Sequence, residues 1–212
     1  MELTTLAWIS LILGILTAIA IAADVRRHPQ HMSVMNITWP ITGLYLPVIG
    51  WWIYKALGHK GHGDKPFWQS VFISTSHCGG GCTLGDTLAA PLISLTGFTL
   101  LGSALLGHFV GEFIAAFIMG IAFQLWPMME MGETRWIKAL KKALVADALS
   151  LIAFEVGMFG FMSIAVFGFL AEEPGVFSAD YWFLMQIAMI IGFATAYPAN
   201  AWLVKRGIKH GM

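Results

Sequence analysis

Residues 4–23, TTLAWISLILGILTAIAIAA, run for twenty positions without a charge. That is about the length an α-helix needs to cross the hydrocarbon core of a bilayer. Further apolar runs follow at 36–57, 67–95, 98–126, 144–170 and 181–204. Hydrophobic residues make up 58% of the chain and charged residues 11%, too few to wet the surface of a soluble domain. In lipid the backbone must satisfy its own polar groups, and a helix does so within one segment. The sequence therefore predicts an all-α polytopic membrane helix bundle of about six spans, with 1–212 as one transmembrane domain. The bilayer is the expected partner, alongside a homo-oligomer or a partner membrane protein. Twelve basic residues balance twelve acidic ones, so no charge excess points to nucleic acid.

No positive charge precedes the first apolar run, and Arg26 and Arg27 come after it. This pattern reads as a retained first helix rather than a cleaved leader. The remaining basic residues set an orientation. Lys55, Lys60 and Lys65 fall in one loop, Arg135, Lys138, Lys141 and Lys142 in another, and Lys205, Arg206 and Lys209 in the tail. With six spans these share one side, facing the nearly chargeless SLTG turn and the acidic loop EEPGVFSAD on the other. The positive-inside rule then places both termini in the cytoplasm. Arg26 and Arg27 alone dissent.

The reactive side chains concentrate in the third span, at SHCGGGCTLGD. Glycine is a poor helix former, and Gly79, Gly80 and Gly81 stand in a row. The expectation is a broken site-bearing span over 67–95: a helix to about Ser76, a glycine-rich turn, and a second helix from about Thr83. Ser74, Thr75 and Ser76 are read as packing or backbone-satisfying residues. Cys78, Cys82 and Asp86 recur every four residues, beside His77. His108 and Glu112 repeat that spacing on the fourth span, and Glu155 lies inside the fifth. Ionisable groups at such depth are expensive unless paired, protonated or metal-bound.

Two thiols with imidazoles suit copper(I) or zinc, whereas a carboxylate-rich subset suits iron or zinc. The candidate metal ligands are His77, Cys78, Cys82, Asp86, His108, Glu112 and Glu155. Asp147, nearer the basic loop, is expected to pair with Lys141 or Lys142. Gln124 and Gln186 are expected to bond across helices. His59 and His62 in GHKGHG read as a plain glycine-rich linker.

Three stretches carry a family likeness: SVFISTSHCGGGCTLGD at 70–86, ALVADALSLIAFEVGMFGFM at 143–162, and YWFLMQIAMIIGFATAYPANAWLVKRGIKHGM at 181–212. The last includes Tyr197, Pro198, Asn200 and a closing Gly-Ile-Lys. From the second span onward the chain resembles an uncharacterised family of prokaryotic multi-span membrane proteins, a domain of unknown function with a His-Cys-Gly-x-Gly-Cys core. The resemblance implies a multi-pass protein of a prokaryotic inner membrane and supplies no activity. The chemistry of the residues points to transport or handling of copper or zinc through a buried Cys/His/carboxylate site. A membrane-embedded metal- or thiol-dependent oxidoreductase and a structural subunit of a membrane complex are the alternatives, so enzymatic activity stays open.

Overall fold

A computed structural model describes residues 3–58, 65–130, 132, 135–170, 174–209 and 211, with the backbone alone at 138. His59, Lys60 and His62 of the linker and Glu172 and Glu173 of the acidic loop lie outside the described residues. Seven α-helices and no strand occur among the described residues: α1 (Leu3–Arg27), α2 (Met35–Tyr45), α3 (Ile49–Ile53), α4 (Phe67–Thr96), α5 (Ala104–Glu130), α6 (Trp136–Ile164) and α7 (Ala179–Lys205). Single π-helical segments extend α3 through Gly58 and α6 through Phe169. Four segments are long and apolar enough to cross a membrane: α1, α5, α6 with its extension, and α7. In α1 only Ala7, Gly14, Thr17, Ile21 and Val25 are buried, a single stripe toward the bundle. Trp8, Ile12, Leu16 and Ile19 face outward, an apolar surface suited to lipid.

The second apolar run does not form one crossing helix. Pro47 has no N–H and disfavours helical backbone at its predecessor. Leu46 accordingly leaves the helix at φ −117°, ψ 71°, and Val48 turns the chain at φ 64°. Helix α3 then folds back along α2. A Cβ at Gly50 would stand 3.1 Å from the Gly43 Cα, and the Trp39 and Tyr54 rings meet edge to face at 5.7 Å. Trp39 is thus buried inside this hairpin. The tip reaches the middle of α1, where the Val48 N–H donates to Thr17 Oγ1 at 2.9 Å. The Leu44 carbonyl accepts from Gln186 Nε2 at 2.6 Å, while Ser10 donates to Gln186 Oε1 at 2.7 Å. Neighbouring helices thus satisfy the backbone groups that the turn opens.

This hairpin corrects the expected six crossings with termini together. Its two ends lie at one end of the bundle: Lys55 donates to Asp24, near the close of α1, at 2.9 Å, and Ser33 donates to Glu130 at the close of α5. At the opposite end Thr4 donates to Asp180, at the start of α7, across 3.1 Å. The long helices α1, α4, α5, α6 and α7 therefore alternate in direction, and Leu3 and Lys205 lie at opposite ends. Arg26 and Arg27 now share an end with Lys55, Lys65, Arg135, Lys141, Lys142, Lys205, Arg206 and Lys209.

The third apolar run forms one unbroken helix of 30 residues, α4, which corrects the expected glycine turn. Between Val71 and Asp86 every residue is buried except the half-buried Phe72 and Leu84. The helix sits at the centre of the bundle, packed on α5, α7, α2 and α6. Consecutive residues on a helix point about 100° apart, so three glycines in a row open three faces. A Cβ at Gly79 would stand 3.1 Å from the Phe154 ring of α6, one at Gly80 3.1 Å from Thr38 Cγ2 of α2, and one at Gly81 2.7 Å from the Gly120 Cα of α5. One turn on, a Cβ at Gly85 would stand 2.5 Å from the Ala116 Cα. Small residues spaced by four let helix backbones approach this closely inside membranes. Each glycine costs roughly 1 kcal/mol of helix propensity, but a break here would strand backbone amides in an apolar interior. Close packing and backbone satisfaction win.

Candidate functional site

The continuity of α4 puts Cys78, Cys82 and Asp86 on one face, each one turn beyond the last. All three are buried, and both cysteines are free thiols lying side by side. Helix α6 presents Ser150 and Glu155 to this face. The Ser150 Oγ lies 3.3 Å from Cys78 Sγ, and the Glu155 carboxyl adjoins Cys82. Asp86 lies within electrostatic range of Glu155 and Glu112. Both oxygens of Asp86 lack a hydrogen-bond partner, and the Glu155 carboxyl has only the Cys82 thiol beside it. A buried carboxyl without a partner is costly.

Toward the N-terminal end of the bundle, Glu112 Oε1 accepts from the Tyr181 hydroxyl at 3.2 Å and contacts His108 Nδ1 at the same distance. The His108 side chain is 13% exposed, in contrast to the fully buried His77. His77 points another way, toward Phe123, with ring centroids 6.3 Å apart, and toward Gln124. Both its ring nitrogens and Gln124 Oε1 lack partners of good hydrogen-bond geometry, whereas Gln186 bridges helices as expected.

Toward the C-terminal end, Ser150 Oγ donates to the Asp147 carbonyl at 3.0 Å and lies 3.4 Å from Asp147 Oδ1. Asp147 was expected to pair with Lys141 or Lys142; its ion-pair partner is Lys209. The Lys209 ammonium also donates to Asn200 Oδ1 at 2.8 Å. Beyond α7 the tail doubles back at Gly207, φ 68°, so that the Ile208 and Lys209 N–H groups both donate to the Leu203 carbonyl. Burial is the largest single influence and would lower the Lys209 pKa, but Asp147 together with Cys78 and Cys82 raises it. The ammonium is charged at neutral pH.

The sequence-derived residues are strung out rather than gathered. Among the described residues, no group of three or more His, Cys, Asp and Glu side chains has an arrangement that could hold a metal ion. What the chain does build is a file: Lys209, Asp147, Ser150, Cys78, Cys82, Glu155, then Asp86 and Glu112, then His108 and Tyr181. Zinc requires about four ligands around one point, which this spacing does not provide. Two adjacent thiols suffice for a linear two-coordinate copper(I) ion, and thiolates are its preferred ligands.

Sequence reasoning missed Tyr45, Ser150, Tyr181, Asn200 and Lys209. Tyr45, near the hairpin tip, is fully buried beside the cysteines. No periodic signal marks it, because only the fold-back of α3 buries it there. Asn200 and Lys209 did carry a signal, since both lie in the C-terminal stretch that bears the family likeness.

Neither the curated proteins nor the solved structures contain a match to this chain. A family match does exist, over residues 67–209, which takes in α4 to α7 and the tail lysine but leaves α1 and the hairpin outside. With about two thirds of its 212 residues matched, the chain belongs to the DUF4396 family, a domain of unknown function.

Proposed function

We propose that the protein carries a soft monovalent cation, copper(I) by its chemistry, along the interior file between α4, α5, α6 and α7. The observation that supports this is the juxtaposition of Cys78 and Cys82 on one buried face, in line with the buried carboxyls of Glu155 and Asp86. The thiols would hold the ion as thiolates. Glu155, Asp86 and Glu112 would offer the negative charge that lowers the cost of a cation in an apolar interior. His108, partly exposed, would form the entrance at the N-terminal end. The hairpin belongs to such a reading, because re-entrant backbone is tolerated at membrane depth where protein or a cavity surrounds it.

In this reading five long helices cross and the hairpin does not. The basic residues at the C-terminal end make that end cytoplasmic and put the N-terminus outside. Arg26 and Arg27 no longer dissent.

The test compares wild type with Cys78→Ser/Cys82→Ser, purified without a histidine tag, supplied anaerobically with copper(I) or zinc, and desalted. Mass spectrometry should find about one copper per wild-type chain and little zinc. The double variant should lose the copper at an unchanged elution volume, and copper flux into proteoliposomes should fall with it. Retention of copper by the folded double variant would exclude the thiols as ligands. A copper-free wild type with a Cys78–Cys82 disulfide would assign the pair to thiol redox chemistry instead.

A further inference from the structure

We propose that Lys209 is a tethered cation: its ammonium occupies a cation site formed by Asp147 and Asn200 and so closes the C-terminal end of the file. This rests on reading the file as a cation route. A lysine ammonium normally extends into water. Here the side chain is 2% exposed, and the ammonium meets two oxygen acceptors inside the bundle. Asp147 and Ser150 are the only steps of the file between it and the Cys78 thiol. An ammonium and a monovalent metal ion make the same electrostatic demand, a carboxylate and a carbonyl-type oxygen with little water. The site therefore suits any small monovalent cation arriving from that end, and the tail holds its place. The tether is short. Gly207 reverses the chain, Leu203 accepts both following N–H groups, and Gly211 lies against Ser70 at the start of α4. Gly207 and Ile208 are exposed, so withdrawal of the tail is proposed as a local opening rather than an unfolding. Once it withdraws, Asp147 and Asn200 face the C-terminal side and the route to Cys78 is continuous.

The alternative is that Lys209 only neutralises Asp147 and clamps the bundle. Access to Cys78 distinguishes the two. Detergent-purified full-length protein is exposed to a small cationic methanethiosulfonate, and the modified Cys78 peptide is followed by mass spectrometry. In Asp147→Asn/Lys209→Met, which removes both charges and leaves neither one buried alone, Cys78 should react about tenfold faster or more than in wild type. A second protein keeps Lys209 and locks the tail through a disulfide between Ser70→Cys and Gly211→Cys. Its Cys78 should react more slowly than wild type, and reduction followed by removal of the reductant should restore the rate. A folded neutral pair with the wild-type rate would overturn the proposal, as would a locked tail that leaves the rate unchanged. If the neutral pair does not fold, the locked protein decides alone. Copper retention by the wild type is scored separately. An unchanged Cys78 rate with copper bound defeats the tethered cation only, and an altered rate without copper defeats the copper reading only.

Discussion

Helix α4 and the hairpin of α2 and α3 began as two apolar runs of similar promise, and they folded in opposite ways. The run with three consecutive glycines stayed one helix, whereas the run with Pro47 folded back on itself. Glycine only weakens a helix, by an amount that close packing readily repays, and at Gly79, Gly80, Gly81 and Gly85 the absent Cβ is what admits the neighbouring helices. Proline removes a hydrogen-bond donor and disfavours helical backbone before it, a larger local cost than a glycine's. Yet proline alone does not decide, because Pro91, Pro127 and Pro198 lie inside helices that continue. At Pro47 the opened backbone finds Thr17 and Gln186 waiting on α1 and α7, and the fold-back finds Gly43 and Gly50 facing each other.

The sharpest way to break this comparison is topological and all-or-none. In a background lacking Cys78 and Cys82, introduce His31→Cys and Lys65→Cys singly and label with a membrane-impermeant reagent. The hairpin places both on the same side, opposite to a cysteine at Thr5. Labelling of positions 31 and 65 from opposite sides would mean that 35–58 crosses after all.

The next effect tests the role given to glycine in α4. Gly85→Val should destabilise by about 3 kcal/mol or more, because the added atoms meet the Ala116 backbone, which cannot move aside. Thermal unfolding monitored by size exclusion would register this as loss of monodisperse protein; a variant as stable as wild type would remove the close-packing explanation of the unbroken helix.

Gly50→Val makes the matching test of the hairpin and should cost about 1–3 kcal/mol, since its Cβ would press on Gly43 at the looser spacing of 3.1 Å. The damage should stay local, read as faster proteolysis or hydrogen exchange over 35–58 while α4 to α7 remain protected.

The smallest effect lies at the hairpin base. Asp24→Asn removes the charge that Lys55 meets at 2.9 Å, but Lys55 is one-third exposed and stacks over Trp51, so the loss should be about 1 kcal/mol or less. Added salt should shrink the difference further.

The candidate site was legible in part. Cys78, Cys82, Asp86, Glu112 and Glu155 stand out in sequence because ionisable and thiol groups inside apolar runs are rare, and the fold does line them along one interior. His77 stood out for the same reason but faces Phe123 and Gln124 instead. Asp147 was matched to the lysines nearest in sequence, and its ion pair goes to a lysine 62 positions away. Pairings of that kind depend on where the tail ends up, and no local pattern encodes that.

Composition and apolar run length by themselves determined the all-helical class, the apolar exterior and the polar residues that an apolar interior must accommodate. Those properties follow from transfer free energies and backbone hydrogen bonding, which act residue by residue. Tertiary structure decided which run stays one helix, which folds back, which end holds the basic residues, and that Lys209 enters the bundle. Each of those outcomes turns on whether a partner helix stands within contact distance: Ala116 and Gly120 beside α4, Gly43 beside Gly50, and Asp147 beside the returning tail. Proximity between distant segments is a property of the assembled bundle, so the same glycine or proline reads differently until its neighbours are in place.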